Sequence, residues 1–176
     1  MEKIFLAPVS GSNLFANYKK TVVEGIPSDS FLKIPEAKEY SKQFSKEDKI
    51  HLWGIKSTKA TPFKKCSVND YVLYYYQGTM ISYCKVLYKS QNKPLSEKIW
   101  GKDTDRITGL HEYWENLLFL TAPKKISMDF NILIDFAHFK PKASVRGFNA
   151  YSSVGLSAII NKYKTIDTFL NKYSNT

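Results

Sequence analysis

Arginine is scarce in this chain. Of 26 basic residues among 176, only Arg106 and Arg146 carry a guanidinium. Arginine is the usual bidentate reader of base edges, whereas a lysine ammonium is a compact charge suited to single phosphate oxygens. Cysteine is nearly absent too. Cys66 and Cys84 are too few for a disulfide framework and do not form a CxxC pair, so both are expected as core positions. No apolar run approaches the ~18 residues of a membrane-spanning helix. The first apolar run, residues 4–9, is short and interrupted by Pro8, unlike a signal peptide. A soluble, cytoplasmic protein is expected.

Catalytic signatures are missing as well. There is no GxxxxGK[ST] or GxGxxG phosphate loop, no HExxH and no GxSxG elbow. His51, His111 and His138 are scattered and read as strand-end or loop residues. One acidic pattern remains: Asp29 followed by Glu36-Ala37-Lys38, an arrangement able to hold a divalent metal beside a lysine. Such ligands need a rigid strand, and Pro35 breaks the chain just before the triplet. No cofactor is expected.

What is abundant is lysine and aromatic surface. The formal charge is +10, and 15% of residues are aromatic within a 43% apolar total. That composition builds one globular domain over residues 1–176 with a real core. The charge favours a polyanionic partner, nucleic acid first and an anionic membrane surface second.

The densest stretch is residues 51–88. It holds three runs rich in β-branched and aromatic residues, at 52–55, 71–76 and 80–88, which suit strands. Gln77-Gly78-Thr79 joins the second to the third as a hairpin. A first strand is expected at 3–9, a helix or irregular segment at 14–23, and a helix at 36–44 with Ala37, Tyr40 and Phe44 on its buried face. A helical turn follows at 95–100, then a strand at 111–120. Periodicity leaves 131–136 open between strand and helix. Residues 156–173 read as one helix, with Ser152 or Ser153 as N-cap. The fold expected is α+β, a small twisted or barrel-like sheet closed by helices.

A nucleic-acid surface needs cations for phosphates and π-faces for unstacked bases. One loop supplies Lys56, Lys59, Lys64 and Lys65 beside Trp53 and Phe63. A second supplies Lys140, Lys142 and Arg146 beside Phe139 and Phe148. Brought together, these loops would form a basic rim around an aromatic-floored pocket. Most tyrosines of the YVLYYY run are expected as packing residues, with Tyr74 and Tyr76 on one face and Tyr71 and Tyr75 on the other.

Residues 50–122 resemble the PUA-like superfamily, in particular its EVE and YTH branches. The resemblance rests on Trp53-Gly54-Ile55-Lys56-Ser57, on Val68-Asn69-Asp70-Tyr71-Val72-Leu73-Tyr74-Tyr75, on Cys84-Lys85-Val86, on Ile99-Trp100-Gly101-Lys102-Asp103, and on the run from Trp114 to Leu120. It is similar above all to the N-terminal DNA-binding domains of McrB-like subunits of modification-dependent restriction systems. The resemblance implies a twisted β-barrel flanked by helices. It also implies a non-catalytic domain that recognises methylated DNA by flipping a base into an aromatic cage. Trp100 and Phe63 match cage walls. A third wall falls near Arg106 or Ile107, where no aromatic stands, and Trp114 reads as core. The base-binding set is then Trp53, Lys56, Ser57, Thr58, Phe63, Tyr75 and Trp100, and the phosphate-binding set Lys59, Lys64, Lys65, Lys140, Lys142 and Arg146. In such systems the domain opens a longer chain that carries a hexameric GTPase ring, and the nuclease is a separate subunit. Two other readings stand beside this one: a YTH- or ASCH-like RNA reader, and a small metal-dependent nuclease using Asp29 and Glu36.

Overall fold

The computed structural model describes residues 2–104, 108–139 and 144–174. Short strands and short helices alternate along the chain. In order they are β1 (Ile4–Pro8), α1 (Ser12–Tyr18), β2 (Ile26–Pro27), α2 (Ser28–Leu32), α3 (Ser41–Phe44), β3 (Lys49–Ile55), α4 (Ala60–Lys65), β4 (Tyr71–Tyr76), β5 (Thr79–Gln91), α5 (Lys93–Trp100), β6 (Asp103–Thr104), β7 (His111–Glu112), β8 (Asn116–Leu120), β9 (Lys124–Asp129), α6 (Phe130–Ala137), β10 (Asn149–Ala150), α7 (Ser153–Tyr163) and α8 (Ile166–Asn171). A π-helical turn, Lys19–Val23, extends α1, and 3-10 turns cover Pro35–Tyr40 and Ser57–Lys59.

The sheet runs β10-β1-β4-β5-β8-β3-β2, with β9 also on β5. Among the described residues, only the β1–β4 pair of this sheet is parallel. The long β5 organises it. Its first half pairs with β4 on one edge and β9 on the other, and its second half pairs with β8. Gln77 and Gly78, at φ 45 and 87, make the two-residue turn between β4 and β5. Positive φ at both positions matches the right-handed twist of the flanking strands, so this hairpin forms as its sequence predicts. The architecture is mixed α+β, but the sheet is not closed into a barrel as the PUA-like resemblance implied. The register jumps between Val86 and Tyr88, and between Met80 and Ser82, bend β5. The ends of the strand order, β10 and β2, carry no mutual pairing.

Alternation along β4 sets two cores. Tyr71 and Leu73 face α6, α7 and α8, while Val72 and Tyr74 face the opposite side with Trp53, Phe63 and Phe148. Tyr75 and Tyr76 follow the same parity. A third cluster packs Phe31, Tyr40, Phe44 and Leu95 on Leu52, Leu117 and Phe119.

One segment that the sequence left open is decided, and two depart from the sequence reading. Residues 131–136 lie within a helix, α6, capped by Asp129, whose carboxylate accepts the Asn131 N–H at 2.8 Å. The expected helix over 156–173 is two helices. Ser152 does cap the first, accepting from the Gly155 N–H, but Lys164 at φ 72 turns the chain and Thr165 caps α8. The expected strand over 111–120 breaks after Glu112 and resumes at Asn116. No helix among the described residues is long and apolar enough to cross a membrane.

Candidate nucleic-acid interface

The site is built where β3 ends. Asn116, fully buried at the start of β8, donates from its amide nitrogen to the carbonyls of Ile55 (3.2 Å) and Lys56 (3.3 Å). Its carbonyl accepts from Gln91 Nε2 at 2.7 Å. A buried amide with partners on both ends fixes the strand exit and so aims the Ser57–Lys59 turn and α4.

Above this exit lies a cavity of about 160 Å³. Trp53, Gly54 and Lys56 form one side, Trp114 another, and Thr58, Lys59, Gly147 and Phe148 the rim and far wall. A smaller recess of about 10 Å³ adjoins it, between Trp53, Trp100 and Trp114. Gly54 is what lets the tryptophans converge. A Cβ there would sit 2.7 Å from Cζ3 of Trp100 and 2.9 Å from the Trp114 carbonyl oxygen.

The two basic loops meet. The Lys59 side chain lies across Gly147, whose added Cβ would be 2.7 Å from Lys59 Cε. Gly147 takes φ 73, and Asn149 holds the turn by donating to the carbonyls of Arg146 (2.7 Å) and Gly147 (3.1 Å). Phe148 stacks on Phe5 at 5.1 Å and 7°, which anchors the loop in the core. Arg146, Lys64 and Lys65 are exposed around this junction. Lys140 and Lys142 lie outside the described residues, as do Arg106 and Ile107.

Lys56 is engaged rather than free. Its Nζ donates to Asp103 Oδ2 (2.6 Å) and Glu112 Oε2 (2.7 Å) and lies 5.6 Å from the Trp114 ring centroid. Burial pulls this ammonium's pKa down, but the hydrogen bonds and charges of Asp103 and Glu112 outweigh it, and the net shift is upward.

The residues expected from sequence are thus partly gathered. Trp53, Lys56, Thr58 and Lys59 line the cavity, with Ser57 exposed beside them. Trp100 lines only the small recess. Phe63 is not on the cavity wall. It is buried in the core below α4, with Lys89 Nζ 4.5 Å from its ring centroid. Tyr75 points into the other core, edge-on to Phe130 at 5.1 Å. Phe139 packs on Tyr151, away from the cavity. Trp114, read from sequence as core, is a wall. Gly54 and Asn116 entered the sequence reading only as members of the runs 53–57 and 114–120, with no role of their own.

Elsewhere, a cleft of about 510 Å³ between Phe44 and Ala122 carries Glu47 and Asp48 beside Lys49. Its mixed charge does not suit a polyanion. Glu36 sits in the 3-10 turn and Asp29 is exposed in the first turn of α2. Among the described residues, no three His, Cys, Asp or Glu side chains gather as a metal site would require.

Compared by sequence, the chain matches no family model and no curated protein. Compared by structure, it matches the N-terminal domain of McrB from Thermococcus gammatolerans, solved bound to m5C DNA. The TM-score is 0.67, at 15% identity, over 93% of this chain and 98% of that one. The chain has the fold of this McrB N-terminal domain. Two variants of an ASCH protein from Zymomonas mobilis also align, at TM-scores of 0.45 and 0.46 and 9% identity, over 92% and 91% of this chain and 96% and 98% of theirs. The McrB-type fold extends the likeness beyond residues 50–122 to nearly the whole chain.

Proposed function

We propose that this chain is a non-catalytic DNA-binding domain that recognises methylated DNA by taking a flipped base into the cavity between Trp53 and Trp114. The observation that carries this reading is the junction of Lys59 with Gly147, next to the exposed Arg146, at the rim of one aromatic-walled cavity. The McrB-type fold, seen with DNA in its archaeal neighbour, supports the same reading. Lys59, Lys64, Lys65, Arg146, Lys140 and Lys142 are assigned to phosphates. The energetics allow it: stacking a base on an aromatic side chain contributes about 1–3 kcal/mol, against a few kcal/mol to unstack it. Lysine-dominated contacts give affinity without sequence readout, which suits a domain that discriminates by modification. We place it as the targeting module of a GTP-dependent restriction complex, with motor and nuclease supplied by other parts of that assembly.

Competition between a methylated DNA duplex and RNA of matched length and salt tests the partner class. The reading expects DNA to win. RNA binding tenfold tighter would overturn it in favour of an RNA reader, and strand cleavage on adding Mg²⁺ or Mn²⁺ would favour the nuclease built on Asp29 and Glu36.

A further inference from the structure

Helix α4 presents two exposed lysines, Lys64 and Lys65, on only six residues. A helix this short does not hold itself in water, since isolated helices under about 12–15 residues are marginal. Its orientation must come from what it is tied to. Phe63 gives it one anchor, buried in the core. Cations at its C-terminal end give the rest. Lys89, from the second half of β5, donates from Nζ to the Phe63 carbonyl at 2.7 Å and to the Cys66 carbonyl. The same Nζ lies 4.5 Å from the Phe63 ring centroid. Lys3 donates from its Nζ to the Lys65 carbonyl at 3.0 Å. The last carbonyls of a helix have no donor within it, so an ammonium there satisfies them and complements the helix dipole.

Lys89 is unlike the other engaged lysines of β3 and β5. Lys56 and Lys85 bind carboxylates, whereas among the described residues no carboxylate is in ion-pair contact with Lys89. Burial pulls its pKa down, so backbone carbonyls and one ring hold this ammonium against its loss of hydration. Asp70, itself buried, ties the chain just after α4 to the residue before β1. Its carboxylate accepts from the Ser67 N–H and the Lys3 N–H, both at 2.8 Å. We propose that Lys89, backed by Lys3, is a positioning residue for DNA binding. It clasps the end of α4 and so holds Lys64 and Lys65 toward the phosphates, while making no phosphate contact of its own. The inference rests on the phosphate contacts proposed above for Lys64 and Lys65.

The test follows binding of a methylated duplex and its plain counterpart across a salt series. It compares the parent, Lys89→Met, Lys89→Arg and the double variant Lys64→Gln/Lys65→Gln, the last alone and combined with Lys89→Met. Lys89→Met is expected to weaken binding about threefold and to lower the slope of log K against log[salt] by about 0.9, the share of one phosphate contact. Both duplexes should weaken alike, because the tryptophan cavity is untouched. Lys89→Arg, which keeps the cation, should hold the parental slope. In the Lys64→Gln/Lys65→Gln background Lys89→Met should have no further effect, as expected of residues that act as one unit. The clasp is overturned if Lys89→Met keeps the parental slope or if its effect adds in full to that of the double variant. It is also overturned if Lys89→Arg behaves like Lys89→Met. Should Lys89→Met not fold, Lys3→Met gives the same comparison from the surface, and a parental slope there overturns the clasp. A parental slope for Lys64→Gln/Lys65→Gln overturns the phosphate assignment itself, and the clasp with it.

Discussion

Gly54 and Trp114 meet through a missing side chain: a Cβ on Gly54 would lie 2.5 Å from the Cβ of Trp114. The cavity wall exists only because β3 has no side chain at that point. Gly54→Ala is expected to push Trp114 outward and destabilise the fold by about 1–3 kcal/mol, the usual range for overpacking. Its denaturation midpoint and its DNA affinity should fall together. A variant with parental midpoint and affinity would show that Trp114 is not held against β3.

Lysines in this interface differ in what they already hold. Lys64 and Lys65 are exposed on α4, whereas Lys56 is bound by two carboxylates. Each phosphate contact removed should lower the slope of log K against log[salt] by about 0.9. Lys64→Gln and Lys65→Gln should each flatten that slope and weaken all sequences equally. Lys56→Met should weaken binding with the slope unchanged, because this cavity-lining ammonium is already held by Asp103 and Glu112 and does not meet a phosphate. A flattened slope for Lys56→Met would make it a phosphate ligand.

On the far side of the sheet, Asp167 holds α8 to β5 through Lys85 at 3.1 Å. Burial pushes its carboxyl up, but the nearby Tyr71 hydroxyl, the hydrogen bond from Lys85 and the charges of Lys85 and Lys124 prevail, leaving it below its ordinary 3.8. A depressed folded-state pKa contributes stability above the unfolded value that is lost as pH falls through the folded one. The stability difference between the parent and Asp167→Asn should therefore be constant above about pH 5 and shrink below about pH 4. Denaturant melts from pH 6 to pH 3 check this. A difference that grows on acidification would contradict it.

Both cysteines should be silent in the folded protein. Cys66 and Cys84 are buried and free, and burial pushes the Cys66 thiol up to about 12. A thiol-reactive chromophore at pH 8 should label neither until denaturant is added. Rapid labelling of the native chain would place a thiol at the surface.

How much of this was legible in the sequence depends on range. Local devices were readable. Gln77-Gly78 announces its turn, Ser152 its cap, and the parity of YVLYYY assigns each tyrosine to its face. The meeting of the loops around Lys59 and Gly147 could be posed only as a condition, since it depends on strands far apart in the chain. Phe63 and Trp114 exchange roles for the same reason. Aromatic residues are equally at home in a core and in a cavity wall, and only the sheet's curvature decides between them. Barrel closure misled because strand count and aromatic content say nothing about bulges such as that at Val86 and Tyr88. The split between α7 and α8 was hidden because Lys164 and Thr165 interrupt no apolar period.

Base reading by the Trp53–Trp114 cavity stands or falls on the ratio of affinities for methylated over plain duplex DNA at one salt concentration. It should be taken for the parent, Trp114→Ala and Trp100→Ala. A parental preference for the methylated duplex is expected, which Trp114→Ala reduces by about tenfold, matching the loss of one stacking partner. A smaller loss is expected for Trp100→Ala, which lines only the adjoining recess. A parental ratio of one, or a preference that survives Trp114→Ala intact, would contradict the assignment of this cavity as the site that reads the base.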